Sequence, residues 1–393
     1  MFEKMDKDFV LHSYGRNYVN FKSAKSAKIV DDAGHEYIDL MAGIGVVSVG
    51  HSHERLTKAI CEQAQNLIHV SNLYLIEPQA KLAKKLVELS GYDMRCFFSN
   101  SGAEANEGAI KIARKYGEVE GKAKRYKVIT LEHSFHGRTI STLKATGQES
   151  MHNYFGPYPD GFVYAKTLED IETLCDEHTV AVMIELVQGE GGVEPQDKEK
   201  VQALEKFLKQ RDILLIVDEV QTGIYRTGEH LASNLYEINP EIITVAKGLG
   251  GGVPIGAVMS TLKDIFKPSD HGSTFGGNYL VTAAALEVLD ILEEYKNSGA
   301  LDEAMVYFHK HVEKLLALYP AVVDKDVGLG FMRGLRIKDS ETLSSIVNLA
   351  FDERVLVLKA GRNTLRFLPP LTITKEELDE GFKRVEVAFS KLS

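Results

Sequence analysis

Tryptophan is absent from this chain, and cysteine occurs only three times and proline ten times in 393 residues. The thiols Cys61, Cys96 and Cys175 cannot form an even-numbered disulfide framework, and none has a Cys or His neighbour at metal-ligand spacing. All three are expected to be reduced packing residues, and no metal is expected. No run of about 18 apolar residues is present to span a bilayer, and the opening MFEKMDKDFVLHSYGR lacks the apolar stretch of a signal peptide. A cytoplasmic location is the expectation. Basic excess is missing too: 46 Lys plus Arg stand against 56 Asp plus Glu, giving a formal charge of −10, with the two signs interspersed. That balance argues against nucleic acid as a partner. Low-complexity tracts, internal repeats and Pro-, Gly- or Ser-rich linkers are also lacking, which argues against disorder.

What is present is a globular composition, 44% hydrophobic and 26% charged, on a chain longer than one ordinary domain. Short apolar runs alternate with amphipathic stretches through its middle, the pattern of an α/β fold with a mostly parallel sheet between helices. Strands are expected at 128–131, 180–185, 214–217, 242–245 and 257–259, and a helix at 198–210. From about residue 278 a long helical pattern gives way to strand-like pieces near 334–337, 355–358 and 364–367 and then a last helix after Thr374. This reads as a smaller α+β domain. The hairpin-like KIVDDAGHEYIDL is too short to fold alone, so the expected division is an N-terminal segment 1–47 packing with the small domain, a large domain 48–277 and a C-terminal small domain 278–393.

Several short constellations bear on chemistry. SNSGAEANE at 99–107 leads into a helical pattern, so Ser101, Gly102 and Ala103 stand at a helix start whose N–H groups and dipole suit a phosphate. Ser101 with Glu104 is equally a plain capping box. AKGLGGGVPIG at 246–256 fails both common nucleotide templates, because no third glycine stands at 253 and Lys247 precedes the glycines. What remains is a lysine at the end of the apolar EIITVA, a place where desolvation can depress an amine's pKa; a lysine in a surface turn would look the same. Asp218 ends ILLIVD, where an acid is costly to bury without a cation, a metal or a helix cap to satisfy it. A protonated pyridine nitrogen is one such cation. HSFHGRT at 133–139 offers Phe135 to stack on a planar group and Arg138 to fork onto a carboxylate, though core packing and a solvated charge are the plainer readings.

Taken together, DDAGHEYIDLMAGIGV, GH at 50–51, SNSGAEANE, HSFHGRT, ELVQGEGGV, VDEVQTGIYRTG, AKGLGGGVPIG, HGSTFGGN and RFLPPL resemble, in order, the class III or ornithine-type aminotransferases, of the pyridoxal-phosphate fold type I. The resemblance implies pyridoxal 5′-phosphate as cofactor, held as a Schiff base on Lys247, which then shuttles the substrate proton. It implies that Asp218 pairs with the pyridine nitrogen, Gln221 bonds the ring hydroxyl oxygen, Phe135 stacks on the ring and Ser101, Gly102 and Ala103 hold the phosphate. Thr274 would reach the phosphate of a neighbouring subunit in a homodimer with shared sites.

By the same resemblance Arg138 binds the distal carboxylate of either substrate and Arg366 the carboxylate beside the reacting carbon. Glu190 would neutralise Arg366 while an ω-amine donor is bound. Tyr14 is a candidate for the substrate pocket. The implied reaction moves the δ-amino group of N-acetylornithine to 2-oxoglutarate, giving glutamate, with succinylornithine, ornithine and 4-aminobutyrate as rival donors. Ile44 stands where ornithine-specific members tend to carry an aromatic residue, and Tyr279 where many members have proline. A non-enzymatic regulator of the same fold would typically lack Lys247 or Asp218; a nucleotide-dependent oxidoreductase is disfavoured by the failed glycine templates.

Overall fold

A seven-stranded sheet lies at the centre of the computed structural model, which describes residues 2–118 and 124–392. Its strand order is Arg95–Ser99, Gly256–Ser260, Ile242–Val245, Leu214–Asp218, Thr179–Ile184, Lys127–Leu131 and Phe162–Ala165. Gly256–Ser260 runs antiparallel to both of its neighbours, and the other pairings are parallel. The runs TVAVMI, LLIVD and IITV are buried along their whole length. Such continuous apolar strands are what a sheet covered on both faces requires.

The five expected strands are all present, the second ending at Ile184 so that Glu185 lies just beyond it. The edge strand Phe162–Ala165 was not foreseen. Helix Gly102–Gly117 packs on the Gly256–Ser260 and Ile242–Val245 strands. It buries Ala105, Ala109, Ile112 and Ala113 on one face.

Residues 355–358, expected as one strand-like piece, are divided between two sheets. Val355–Leu356 pairs in parallel with Glu36–Asp39, completing a four-stranded sheet with Phe21–Lys25 and Lys28–Asp31. Leu358–Ala360 instead edges a sheet of Val323–Leu329, Met332–Ile337 and Thr364–Phe367. The division follows from burial: Val355 is needed inside, beneath helix Lys375–Ser390, whereas Lys359 is exposed.

Helix Lys375–Ser390 opens with a capping box between Thr374 and Glu377. The Glu377 carboxylate also accepts from Ala27 N–H (3.1 Å) and Ser26 Oγ (2.8 Å), so one cap ties the two ends of the chain together. Among the described residues, no helix is long and apolar enough to cross a membrane.

The cysteine expectation needs correction at Cys61, which is exposed, whereas the free thiols Cys96 and Cys175, partly covered, each pack against a hydrophobic cluster. Cys61 lies on helix Glu54–Asn66, which buries only Leu56 and therefore leaves most of its side chains at the surface.

Candidate active site

Four neighbouring strands end at the same edge of the central sheet, and each releases a chemically useful side chain there. Lys127–Leu131 leads to Phe135, His136 and Arg138; Thr179–Ile184 to Glu185 and Glu190; Leu214–Asp218 to Asp218 and Gln221; and Ile242–Val245 to Lys247. The carboxyl edge of a parallel sheet is where open α/β folds place ligands. A cavity of about 400 Å³ lies there, lined by all of these residues together with Ser101, Gly102 and Ala103.

Lys247 has a left-handed backbone (φ 38°) in a short turn between two strands. Its amine faces the cavity and is otherwise surrounded by protein, so desolvation pulls its pKa below the ordinary lysine value, with Glu190 opposing and Arg366 reinforcing that shift.

Asp218 is 4% exposed. Its Oδ2 accepts from Asn106 Nδ2 (2.8 Å) and lies 2.8 Å from His136 Nδ1, while Oδ1 accepts from Val220 N–H (3.0 Å). Asn106 is itself fixed by Thr244, whose hydroxyl donates to Oδ1 at 2.7 Å. The acid is thus oriented rather than capped, with one end of the array open to the cavity. Glu219 points elsewhere, accepting from Thr222, Ala232 and Ser233.

Ser101 caps helix Gly102–Gly117, accepting from Glu104 N–H (3.2 Å), and Glu104 reaches back to Asn100 N–H (2.6 Å). The capping reading and the anion reading are compatible, because the N–H groups of Gly102 and Ala103 have no intrahelical acceptor and border the cavity. Glycine is required at 102: a Cβ there would lie 2.7 Å from Val220 Cγ1.

Behind Glu190, Arg366, 2% exposed on strand Thr364–Phe367, donates from Nη1 to Glu190 Oε1 (2.7 Å) and to Gln221 Oε1 (3.3 Å). Burial pushes the Glu190 carboxyl up, but the charge and hydrogen bond of Arg366 outweigh it and hold the group below its ordinary value. The Arg138 guanidinium lies 5.6 Å from the centre of the Phe135 ring, also at the cavity.

Two expected site residues are not brought to this cavity. Tyr14 is exposed, its ring 5.6 Å from the Arg16 guanidinium. Thr274 is exposed and lines a separate hollow with Ser99, Asn100 and Glu104. Conversely, Asn106 and Glu185 line the cavity without having been singled out, and so does His136, which HSFHGRT presents with Phe135 and Arg138 at a strand's end but to which no role was given. A signal existed for the first two. An asparagine inside a helix is unfavourable unless it has a partner, and Glu185 ends an apolar run just as Asp218 does.

The class-III aminotransferase family model matches residues 10–389. The chain belongs to the class-III aminotransferases. An acetylornithine aminotransferase of Wolinella succinogenes is 64% identical over 389 residues, covering 99% of each chain. Among solved structures, the ornithine aminotransferase of Toxoplasma gondii ME49 superposes with a TM-score of 0.93 at 32% identity, covering 99% of this chain and 94% of that one. The N-acetylornithine aminotransferase of Stenotrophomonas maltophilia K279a gives 0.84 at 32% identity, with 98% of each covered. Backbone likeness therefore does not separate these donors.

As a class-III aminotransferase the protein uses pyridoxal 5′-phosphate. The cavity fits that group: a desolvated amine for its aldehyde, an acid oriented by Asn106 and His136 for its ring nitrogen, and free helix N–H groups for its phosphate.

Proposed function

We propose that this class-III aminotransferase moves the δ-amino group of N-acetylornithine to 2-oxoglutarate, in two half-reactions at one site, and serves arginine biosynthesis. The 64% identity to the Wolinella succinogenes protein supports the donor. The observation that carries the two-substrate reading is the Arg366–Glu190 pair, whose Glu190 lines the same cavity as Lys247 and Arg138.

Bound there, pyridoxal phosphate supplies the electron sink that acidifies the substrate carbon bearing the amine. Lys247, its pKa lowered by burial, takes and returns the proton at that carbon. Asp218, oriented by Asn106 and His136, holds the proton on the ring nitrogen. Gln221 has its carbonyl oxygen engaged by Arg366 and so offers its amide nitrogen to the ring hydroxyl oxygen. Phe135 covers a ring face, and Ser101, Gly102 and Ala103 hold the phosphate.

Arg138 takes the distal carboxylate of either substrate. Arg366 takes the carboxylate beside the reacting carbon of glutamate, and with the ω-amine donor it rests on Glu190, so no unpaired cation faces an apolar chain. We infer a cytoplasmic homodimer in which Thr274 reaches the partner's phosphate and Tyr14 borders the substrate. Leu73, Tyr74, Leu75 and Phe275, all large, apolar and exposed, support such an interface. The parallel pairing of Ile38 with Val355 supports an N-terminal segment, 1–47, assembled with a small domain 278–393 around a large domain 48–277.

The test is a comparison of rates with N-acetylornithine, succinylornithine, ornithine and 4-aminobutyrate, each with 2-oxoglutarate. Highest kcat/KM for N-acetylornithine is expected; a preference for any other donor would overturn this choice. A yellow absorbance, lost on borohydride treatment with mass added at Lys247, is expected alongside.

A further inference from the structure

Asp218 is not the sheet's only acid at the cavity. Glu185 follows Thr179–Ile184 directly, is buried, and directs its two carboxylate oxygens at two different segments. Oε2 accepts from the backbone N–H of Phe135 at 2.9 Å, and Oε1 from that of Gly189 at 3.3 Å. The first segment carries Phe135 and Arg138. The second is the turn that carries Glu190 to Arg366. A carboxylate is the side chain suited to this bridge, because it accepts at both ends and donates at neither.

On the Phe135 side Gln188 Nε2 also donates to the Glu132 carbonyl oxygen at 2.9 Å, a tie that ends three residues short of Phe135. Gly189 is pressed against Gln221, where a Cβ would lie 2.3 Å from Oε1, and the Glu190 carbonyl oxygen accepts from Gly361 N–H at 2.8 Å. The turn is thus fixed to the Arg366 side by its backbone and to the Phe135 side by Glu185 together with Gln188.

We infer that Glu185 is a positioning residue for donor specificity, holding the Phe135–Arg138 segment and the Gly189–Glu190 turn at one separation. Arg138 then receives the donor's distal carboxylate while Glu190 stays on Arg366. This inference rests on the proposed two-substrate function. The glutamate half-reaction depends on it less, because glutamate's own carboxylate takes the place of Glu190 on Arg366.

At pH 8, where the Glu185 carboxyl is ionised, Glu185→Gln keeps the shape but leaves one N–H facing a donor instead of an acceptor. The holoenzyme should lose kcat/KM in the N-acetylornithine half-reaction at least fivefold more than in the glutamate half. Adding Glu185→Gln to Glu190→Gln should widen that ratio no further, since both act through one contact. Amide exchange at Phe135 and Gly189, followed in cofactor-free protein, should rise on the order of tenfold. Equal losses in the two half-reactions, or unchanged exchange at those amides, would overturn the inference.

Should Glu185→Gln fail to fold, Glu185→Asp retains the charge but is one methylene short of spanning both amides, and the same split is expected. If the wild-type enzyme transfers an amine from none of the four ω-amine donors, the functional reading fails and takes donor specificity with it. The exchange measurement would then still report separately whether Glu185 fastens the two segments.

Discussion

Arg366 and Glu190 form an ion pair at 2.7 Å in which the arginine is almost wholly buried and the glutamate is one wall of the cavity. Removing one charge from a buried pair strands the other. Glu190→Gln is therefore expected to reduce kcat/KM for the ω-amine half-reaction by on the order of tenfold to a hundredfold, with a much smaller loss for glutamate. Single-turnover absorbance changes for each half measure this; equal losses would remove the pair from substrate selection.

Lys247 is expected to be indispensable in the proton step while dispensable for cofactor retention. Lys247→Ala should still bind pyridoxal phosphate through the helix start and Asp218, but with kcat lower by about 10²–10⁴. Partial rescue by added methylamine would be the supporting signature. Turnover near the wild-type rate would exclude the role.

The helix start is tuned by a contact between backbone and side chain. Because a Cβ on residue 102 would meet the branched end of Val220, Gly102→Ala must shift either the first helical turn or the loop after Asp218. An overpacking penalty of about 1–3 kcal/mol is expected, with a weaker cofactor Kd. Gly102→Ala with Val220→Ala should recover most of the affinity, as a double-mutant cycle would show.

Glu185 also has a pH signature. Burial, with the Asp218 charge adding to it, pushes its carboxyl up to about 7, against the lowering effects of His136 and the two accepted N–H groups. Between pH 4.5 and 7 the folded state therefore keeps a proton that the unfolded chain has released, so this group's contribution to stability falls as pH rises through that window. Denaturant melts of cofactor-free protein should show Glu185→Gln gaining on wild type by on the order of 2 kcal/mol between pH 5 and pH 8. A difference independent of pH would place the carboxyl back in the ordinary range.

The exposed apolar residues make a prediction about assembly. Leu75 is 97% exposed beside Leu73 and Tyr74. Leu75→Glu should shift sedimentation from dimer towards monomer and weaken cofactor retention; an unchanged mass would move the interface elsewhere.

Periodicity and apolar runs made the central sheet legible, because strands buried on both faces leave continuous Val, Ile and Leu signatures. The edge strand Phe162–Ala165 is only partly buried and left no such signature. The division of residues 355–358 between two sheets depended on distant partners that local sequence does not encode. At the cavity, Lys247, Asp218, Gln221, Phe135, Arg138 and Glu190 are gathered from separate motifs, with Arg366 behind Glu190. Asn106 escaped notice because its partner, Asp218, is contributed by a strand far along the chain. Tyr14 was placed by resemblance at the least constrained part of the sequence, and in the single chain it stands in solvent.

The pairing of Ile38 with Val355 also bears on the order in which the molecule is made. On a ribosome the first three strands emerge long before the strand that completes their sheet, while the segments bearing Lys127–Leu131 through Lys247 can already find one another. Non-local contacts of this kind form late. The catalytic sheet is thus able to assemble during synthesis, whereas Arg366, which follows Val355 in the chain, reaches Glu190 only after that sheet has been made, so the pair proposed to select substrates is a late addition to the cavity.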